Sequence, residues 1–77
     1  MFNKRDLCEE IGNFFGMFFE DIAGQLVIDT SEQEYVYRDE NELLEDWLST
    51  LIEADEETGD DYWSDAIEYI QNYIVNY

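Results

Sequence analysis

The sequence predicts an α+β fold, one antiparallel hairpin packed on three helices in the order α-β-β-α-α, within a single domain over residues 1–77. Three observations carry that expectation. Apolar residues recur at helical spacing in three segments, near residues 6–22, 40–54 and 61–75. Two β-branched and aromatic runs, residues 25–29 and 34–38, flank the polar break Thr30-Ser31-Glu32-Gln33. Pro is absent and Gly occurs four times, which argues against a linker or a low-complexity chain.

In the first segment Leu7, Cys8, Ile11, Phe14, Phe15, Phe18, Phe19 and Ile22 fall within an arc of about 140° on a helical wheel. Glu9, Glu10, Asn13, Glu20 and Asp21 fall on the other side. Asn3 or Asp6 serves as the N-cap, and Gly24 as the glycine just past the end. Gly12 and Gly16 weaken this reading, since each costs about 1 kcal/mol against Ala in a helix. They border the apolar arc four residues apart, a spacing that marks a packing accommodation. A competing reading takes residues 14–19 as a buried strand; the helix is preferred. Cys8, on the apolar arc, is an inert core residue.

The hairpin follows, with Tyr35 and Tyr37 on one face and Val36 on the other. Asp39 followed by Glu42 reads as a capping box that opens the second helix. Leu44, Trp47, Leu48 and Leu51 form its apolar stripe, helped by Leu43 and Ile52. Glu42, Glu45, Asp46, Ser49 and Glu53 form the opposite face. This helix is expected to end near Ala54, with residues 54–59 as the connection. Asp60 or Asp61 caps a last helix to about Val75. Trp63, Ile67, Ile70 and Ile74 form its core stripe, and Tyr62, Tyr69, Tyr73 and Tyr77 an amphipathic edge. Asp61, Asp65, Glu68 and Asn72 face solvent.

Charge is the outlier. Twenty-one acidic and three basic residues leave a net charge of −18 in 77 residues. Residues 1–28 carry a net −3 and residues 29–77 a net −15. Between Asp39 and Glu68 there is no Lys or Arg, yet an apolar set for a core runs through the same stretch. The acids therefore coat a folded protein. Such self-repulsion destabilises a compact state. A chain of this length has a diameter of about 30 Å, and about 30 Å of duplex DNA carries roughly 18 charges. Halophilic adaptation is the competing explanation of such acidity.

The residue inventory excludes much else. There is no His for acid–base or triad chemistry, and Ser31, Ser49 and Ser64 have no base in the sequence, so no enzymatic activity is expected. An EF-hand register started at Glu53 puts Thr58 where Gly is required and Ser64 where Glu is required, so no such calcium site, and no metal or cofactor, is expected. One Cys allows no intrachain disulfide. The longest uncharged run, residues 11–19, is too short to span a bilayer, and acids at Asp6, Glu9 and Glu10 spoil a signal peptide. A cytoplasmic location and no membrane partner are expected. Direct nucleic-acid binding is opposed by the charge, whereas steering onto a basic cleft is favoured.

The stretches Gln25-Leu26-Val27-Ile28 and Gln33-Glu34-Tyr35-Val36, the acidic helix from Asp39, and the segments Asp55-Glu56-Glu57 and Asp60-Asp61-Tyr62 resemble small acidic phage-encoded anti-CRISPR proteins. The class resembled imitates DNA and blocks Cas9 at its PAM-reading site. The resemblance covers roughly residues 25–65 and rests on short motifs. It implies an inhibitor that occupies the basic DNA-binding cleft of a CRISPR effector in an infected bacterial host. By position it implies Glu32, Gln33 and Glu34 as one contact group and Glu56, Glu57, Asp60 and Asp61 as a second; Asp39, Glu40, Glu42 and Asp65 of the acidic surface are further candidate partner-binding residues. Two features depart from the family pattern: no separate strand is expected before Gln25, and the Phe-rich helix is long. The alternative function is an acidic protein-assembly module, a homodimer formed through the C-terminal Tyr stripe. Tyr62, Tyr69 and Tyr73 are the candidate interface aromatics, because Tyr is enriched at interfaces.

Overall fold

The computed structural model describes residues 3–59 and 61–75. The fold is α+β, in the order α-β-β-β-α-α. Helix α1 spans Lys4–Phe15, strands β1, β2 and β3 span Met17–Glu20, Leu26–Asp29 and Glu34–Tyr37, and helices α2 and α3 span Glu40–Thr58 and Asp61–Ile70. A π-helical turn, Gln71–Val75, continues α3. The strands form an antiparallel meander, β1-β2-β3. The Cα radius of gyration is 12.0 Å.

The first helix is shorter than expected, and its second half is a strand. Asn3 caps α1, its side chain accepting from the backbone N–H of Arg5 (2.9 Å) and Asp6 (3.4 Å). Leu7, Cys8 and Ile11 are buried as the wheel required, whereas Phe14 on the same arc is exposed and Phe15 half-buried. The helix then ends at Phe15, with Gly16 as its C-cap. Met17–Glu20 reverses onto β2, pairing Phe18 with Ile28 and Phe19 with Val27. Sterics explain the two glycines. A Cβ on Gly12 would fall 2.5 Å from the Phe18 Cβ, and one on Gly16 would collide with the Asp29 carbonyl. Both glycines therefore let β1 lie directly on α1 and β2. Asn13 Oδ1 accepts from the Phe18 N–H at 3.3 Å. Arg5 reaches over the Phe18 ring to donate to Glu20 at 2.8 Å.

Gly24 does not terminate a helix. It closes the β1–β2 turn at φ 84°, donating to the Asp21 carbonyl at 3.0 Å. The Asp21 carboxylate organises the same turn, accepting from Ala23 (2.9 Å) and Gln25 (2.8 Å). Ile22, expected on the apolar arc, is fully exposed at this tip.

The hairpin and the second helix follow the sequence pattern. Tyr37 is buried and Tyr35 packs against the core, while Val36 is exposed on the other face. Asp39 caps α2 by accepting from the Glu42 N–H at 2.9 Å. The reciprocal half of the box is replaced by an ion pair, Glu42 with Arg38 at 3.2 Å. The expected connection over residues 54–59 is instead the last turn of α2. The helix continues to Thr58, and Gly59 follows in the left-handed region at φ 66°. Leu43, Leu44, Trp47 and Leu51 of α2 meet Trp63, Ala66, Ile70 and Ile74 of the C-terminal segment, with Leu7, Cys8, Ile11, Leu26, Ile28 and Tyr37 closing one continuous core. Ile67 and Leu48, placed in core stripes by the sequence, pack at its margin. Among the described residues the buried Trp47 indole N–H makes no well-formed hydrogen bond, although it faces the Tyr37 hydroxyl. No described helix is long and apolar enough to cross a membrane.

Two buried groups give stability a high-pH limit. Burial, reinforced by the Glu40 charge, pushes the Cys8 thiol up to about 12 from 9.0. Burial and a bond to Asp46 raise Tyr37 above its ordinary 10.0. In both cases the folded state holds the proton longer than the unfolded chain. Stability is therefore intact below about pH 9 and falls as pH rises toward the folded values. Urea midpoints measured across that range are expected to decline. Cys8→Ala should remove the early part of the decline and Tyr37→Phe the later part; a flat wild-type profile would contradict this.

Candidate functional site

Asp60 aside, every carboxylate of the chain is exposed or half-buried; none is buried. Two ion pairs involve them among the described residues, Arg5 with Glu20 and Arg38 with Glu42. Both are surface pairs, each worth up to about 1 kcal/mol. The other described carboxylates have no ion-pair partner among the described residues.

The first expected group sits on the hairpin. Glu32, Gln33 and Glu34 are all exposed, at the turn and at the start of β3. Thr30 builds the turn: its hydroxyl donates to the Gln33 carbonyl at 2.8 Å and accepts from the N–H of Glu32 and Gln33. Its backbone N–H also donates to Gln33 at 3.0 Å. The acidic side chains therefore project from a hydrogen-bonded platform.

Asp39, Glu40 and Glu42 lie at the other end of β3, around the first turn of α2. Acids there are favoured by the helix dipole. Residues 42, 46, 49, 53 and 56 follow one another at helical spacing along α2, so their side chains stand roughly 5–6 Å apart in a row. Sequence reasoning had not singled out Glu45 and Asp46 as site residues. With Tyr37 and Glu42 they line an open concavity of about 420 Å³. The Tyr37 hydroxyl donates to the Asp46 carboxylate there, fixing that acid against the sheet. The signal was present in the pairing of a buried-face Tyr with an acid nine residues later, but only the packing of β3 on α2 joins them.

The second group surrounds the α2–α3 junction. Glu56 and Glu57 are exposed in the last turn of α2, and Asp61 and Asp65 are exposed on α3. Asp60 lies outside the described residues. Asp55 is half-buried and accepts from the Ser64 hydroxyl at 3.4 Å, tying the two helices together beneath this group. The last turn of α2 carries Asp55, Glu56 and Glu57 and no basic residue. Acids at a helix C-terminus oppose the dipole, at about 0.3–1 kcal/mol each. Along α2 itself the acids are spread out: the helix has 19 residues and is about 28 Å long, with acids at both ends.

The tyrosines divide. Tyr62 stacks edge-on against the buried Trp63 at 5.1 Å, and Tyr69 packs at the core margin with its ring 5.2 Å from that of Tyr73. Tyr73 is the most exposed of the three. Tyr77, also expected in this stripe, lies outside the described residues. Among the described residues no group of three or more Cys, Asp and Glu side chains converges as a metal ion requires. The chain matches no protein-family model, and no curated protein or solved structure is found similar to it.

Proposed function

We propose that this protein is a DNA-mimic inhibitor, which occupies the basic, PAM-reading DNA cleft of a CRISPR effector nuclease and keeps target DNA out. It acts by steric and electrostatic occlusion, without catalysis, cofactor or direct contact with nucleic acid. Its place of action is the cytoplasm of an infected bacterial host. The observation that carries this reading is the acidic C-terminal turn of α2. Asp55, Glu56 and Glu57 stand where the helix dipole penalises them, with no cation to compensate. A domain selected only for stability has no reason to keep them; a cationic partner supplies one. Exposure of the Glu32, Gln33 and Glu34 turn and of Asp39, Asp61 and Asp65 supports the same reading. So does β1, since one departure from the resembled family was the want of a strand before Gln25. Glu40 and Glu42, half-buried at the head of α2, belong to the edge of this surface.

The assembly reading, a homodimer through Tyr62, Tyr69 and Tyr73, is less favoured. Tyr62 and Tyr69 already stack within the chain, and two copies would bring together two charges of −18.

Competition between this protein and a PAM-containing duplex for a purified effector tests the proposal. Binding is expected to be mutually exclusive with the duplex. It should weaken steeply as salt rises from about 0.05 to about 0.5 M, because exposed charges are screened. Over the same range the isolated protein should become more stable, as its self-repulsion is screened. Simultaneous binding of duplex and protein, or potency indifferent to salt, would refute the occlusion mechanism.

A further inference from the structure

The three-stranded sheet has two faces, and the helices cover one. Leu26, Ile28 and Tyr37 point into the core cluster with α1 and α2. The alternate residues point the other way. There Phe19, Val27 and Val36 stand in register across β1, β2 and β3 and form an apolar row. Val27, at the centre of this row between Phe19 and Val36, is 2% exposed and is not a member of the core cluster under the helices. Phe19 and Val36 on either side are 37% and 44% exposed, and Met17 beside them is 59% exposed. The next row toward the hairpin turn is Met17, Asp29 and Glu34, and Glu32 lies beyond it on the turn. An apolar strip therefore lies directly against the acidic hairpin group.

We infer that this outer sheet face is an apolar anchor for a basic protein partner, seating aliphatic or aromatic side chains that stand beside the partner's Lys and Arg residues. The inference rests on the inhibitor reading above and adds to it a contact that DNA does not imitate. Two arguments select the occupant. The face spans roughly 200 Å², against about 800 Å² a side for a stable interface, so it works only as part of a larger surface continuous with its acidic border. That border, Asp29, Glu34 and Glu32, complements cations and repels a second copy of this chain.

The test uses two synthetic peptides of equal length and positive charge, one alternating Lys with Ser and the other alternating Lys with Leu. Each is titrated into the isotopically labelled protein, at about 0.15 and about 0.5 M salt, while backbone amide shifts are followed. The Leu peptide is expected to bind at least about tenfold tighter at the higher salt. Its shifts should centre on Met17, Phe19, Val27 and Val36. The variant Phe19→Thr/Val36→Thr, with both substitutions at exposed strand positions, should bind the two peptides alike. Val36→Thr alone serves if the double variant fails to fold, and should lose part of the difference. Equal binding of the two peptides to the wild type would overturn the anchor, as would shifts centred on Phe14 and Tyr62 instead. A wild-type dimer abolished by Val36→Thr would overturn the choice of occupant. Failure of the inhibitor reading is separately visible: the Leu peptide would still discriminate, while the effector and its duplex would ignore the protein.

Discussion

Glu56→Lys/Glu57→Lys is expected to cost the protein its inhibitory binding and at the same time make its fold more stable. The two effects have one origin. Both residues are exposed in the last turn of α2, beside Asp55 and with no basic neighbour in that turn. Glu53 lies four residues before Glu57, a like-charge spacing that costs a few tenths of a kcal/mol. Replacing two acids by two bases at a helix C-terminus exchanges a penalty for a gain, at about 0.3–1 kcal/mol per position. The combined gain of about 1–2 kcal/mol would raise the melting temperature of a domain this size by roughly 5–10 °C. Against a basic cleft the same substitutions convert attraction into like-charge repulsion, which costs several kcal/mol. Affinity should fall at least about a hundredfold, mostly through slower association and a flatter salt dependence. Thermal denaturation and effector binding measured on one preparation check both signs. Unchanged inhibition with raised stability would mean that the acids are only a solvated coat. Asp61→Lys is the useful companion. Asp61 lies in the first turn of α3, where acid is favoured, so its reversal should weaken binding and stability together.

Gly16→Ala is expected to be the most damaging single-methyl change in the chain. The reason is not a left-handed backbone, for Gly16 has φ −179°. It is space: the added Cβ would collide with the Asp29 carbonyl, and further backbone of Thr30 lies 3.1 Å away. These are backbone atoms at the end of β2, paired through Asp29 with Met17 and Glu34. They cannot move without parting the meander. Overpacking of this kind costs about 1–3 kcal/mol and occasionally more. A domain of 77 residues has a total stability of about 4–12 kcal/mol, so the loss is a large fraction. Gly59→Ala is the control. Among the described residues nothing lies within 4 Å of the Cβ it would add, and its φ of 66° is what resists. That substitution should cost about 1 kcal/mol. Chemical denaturation of the two variants should rank them in that order; equal losses would mean that the close approach at Gly16 relaxes freely.

Much of the fold and part of the candidate site were legible in the order of residues. The hairpin announced itself through two β-branched and aromatic runs around Thr30, because a polar break between such runs has few alternatives. The capped start of α2 followed from Asp39 and Glu42, since that interaction spans three residues and is local. The charge coat, too, is a property of composition. With an apolar set threaded through residues 39–68, the acids had nowhere to go but the surface, which is where the carboxylates of the described residues are found.

Three features were decided by contacts between residues far apart in the chain. The Phe-rich segment has good helical periodicity through Ile22, and nothing local stops it before Gly16. What favours the strand is pairing with β2 ten residues later and a close approach that only Gly12 and Gly16 permit. Helix α2 runs four residues past the end that its sequence predicts at Ala54, where dense acids resemble a loop. Packing against α3 and the left-handed Gly59 carry the helix onward despite its unfavourable dipole. Finally, Phe19, Val27 and Val36 look like ordinary alternating strand residues until the register aligns them. Which face of a sheet the helices cover is settled only when the sheet closes on its core, and here they leave Phe19 and Val36, either side of the buried Val27, exposed beside the acids. Sequence by itself determined the charge, the hairpin and the apolar face of α2, all of which depend on neighbours within a few residues. Tertiary structure decided the third strand, the length of α2 and the apolar row on the outer sheet face, because each depends on non-local pairing that outweighs local propensity.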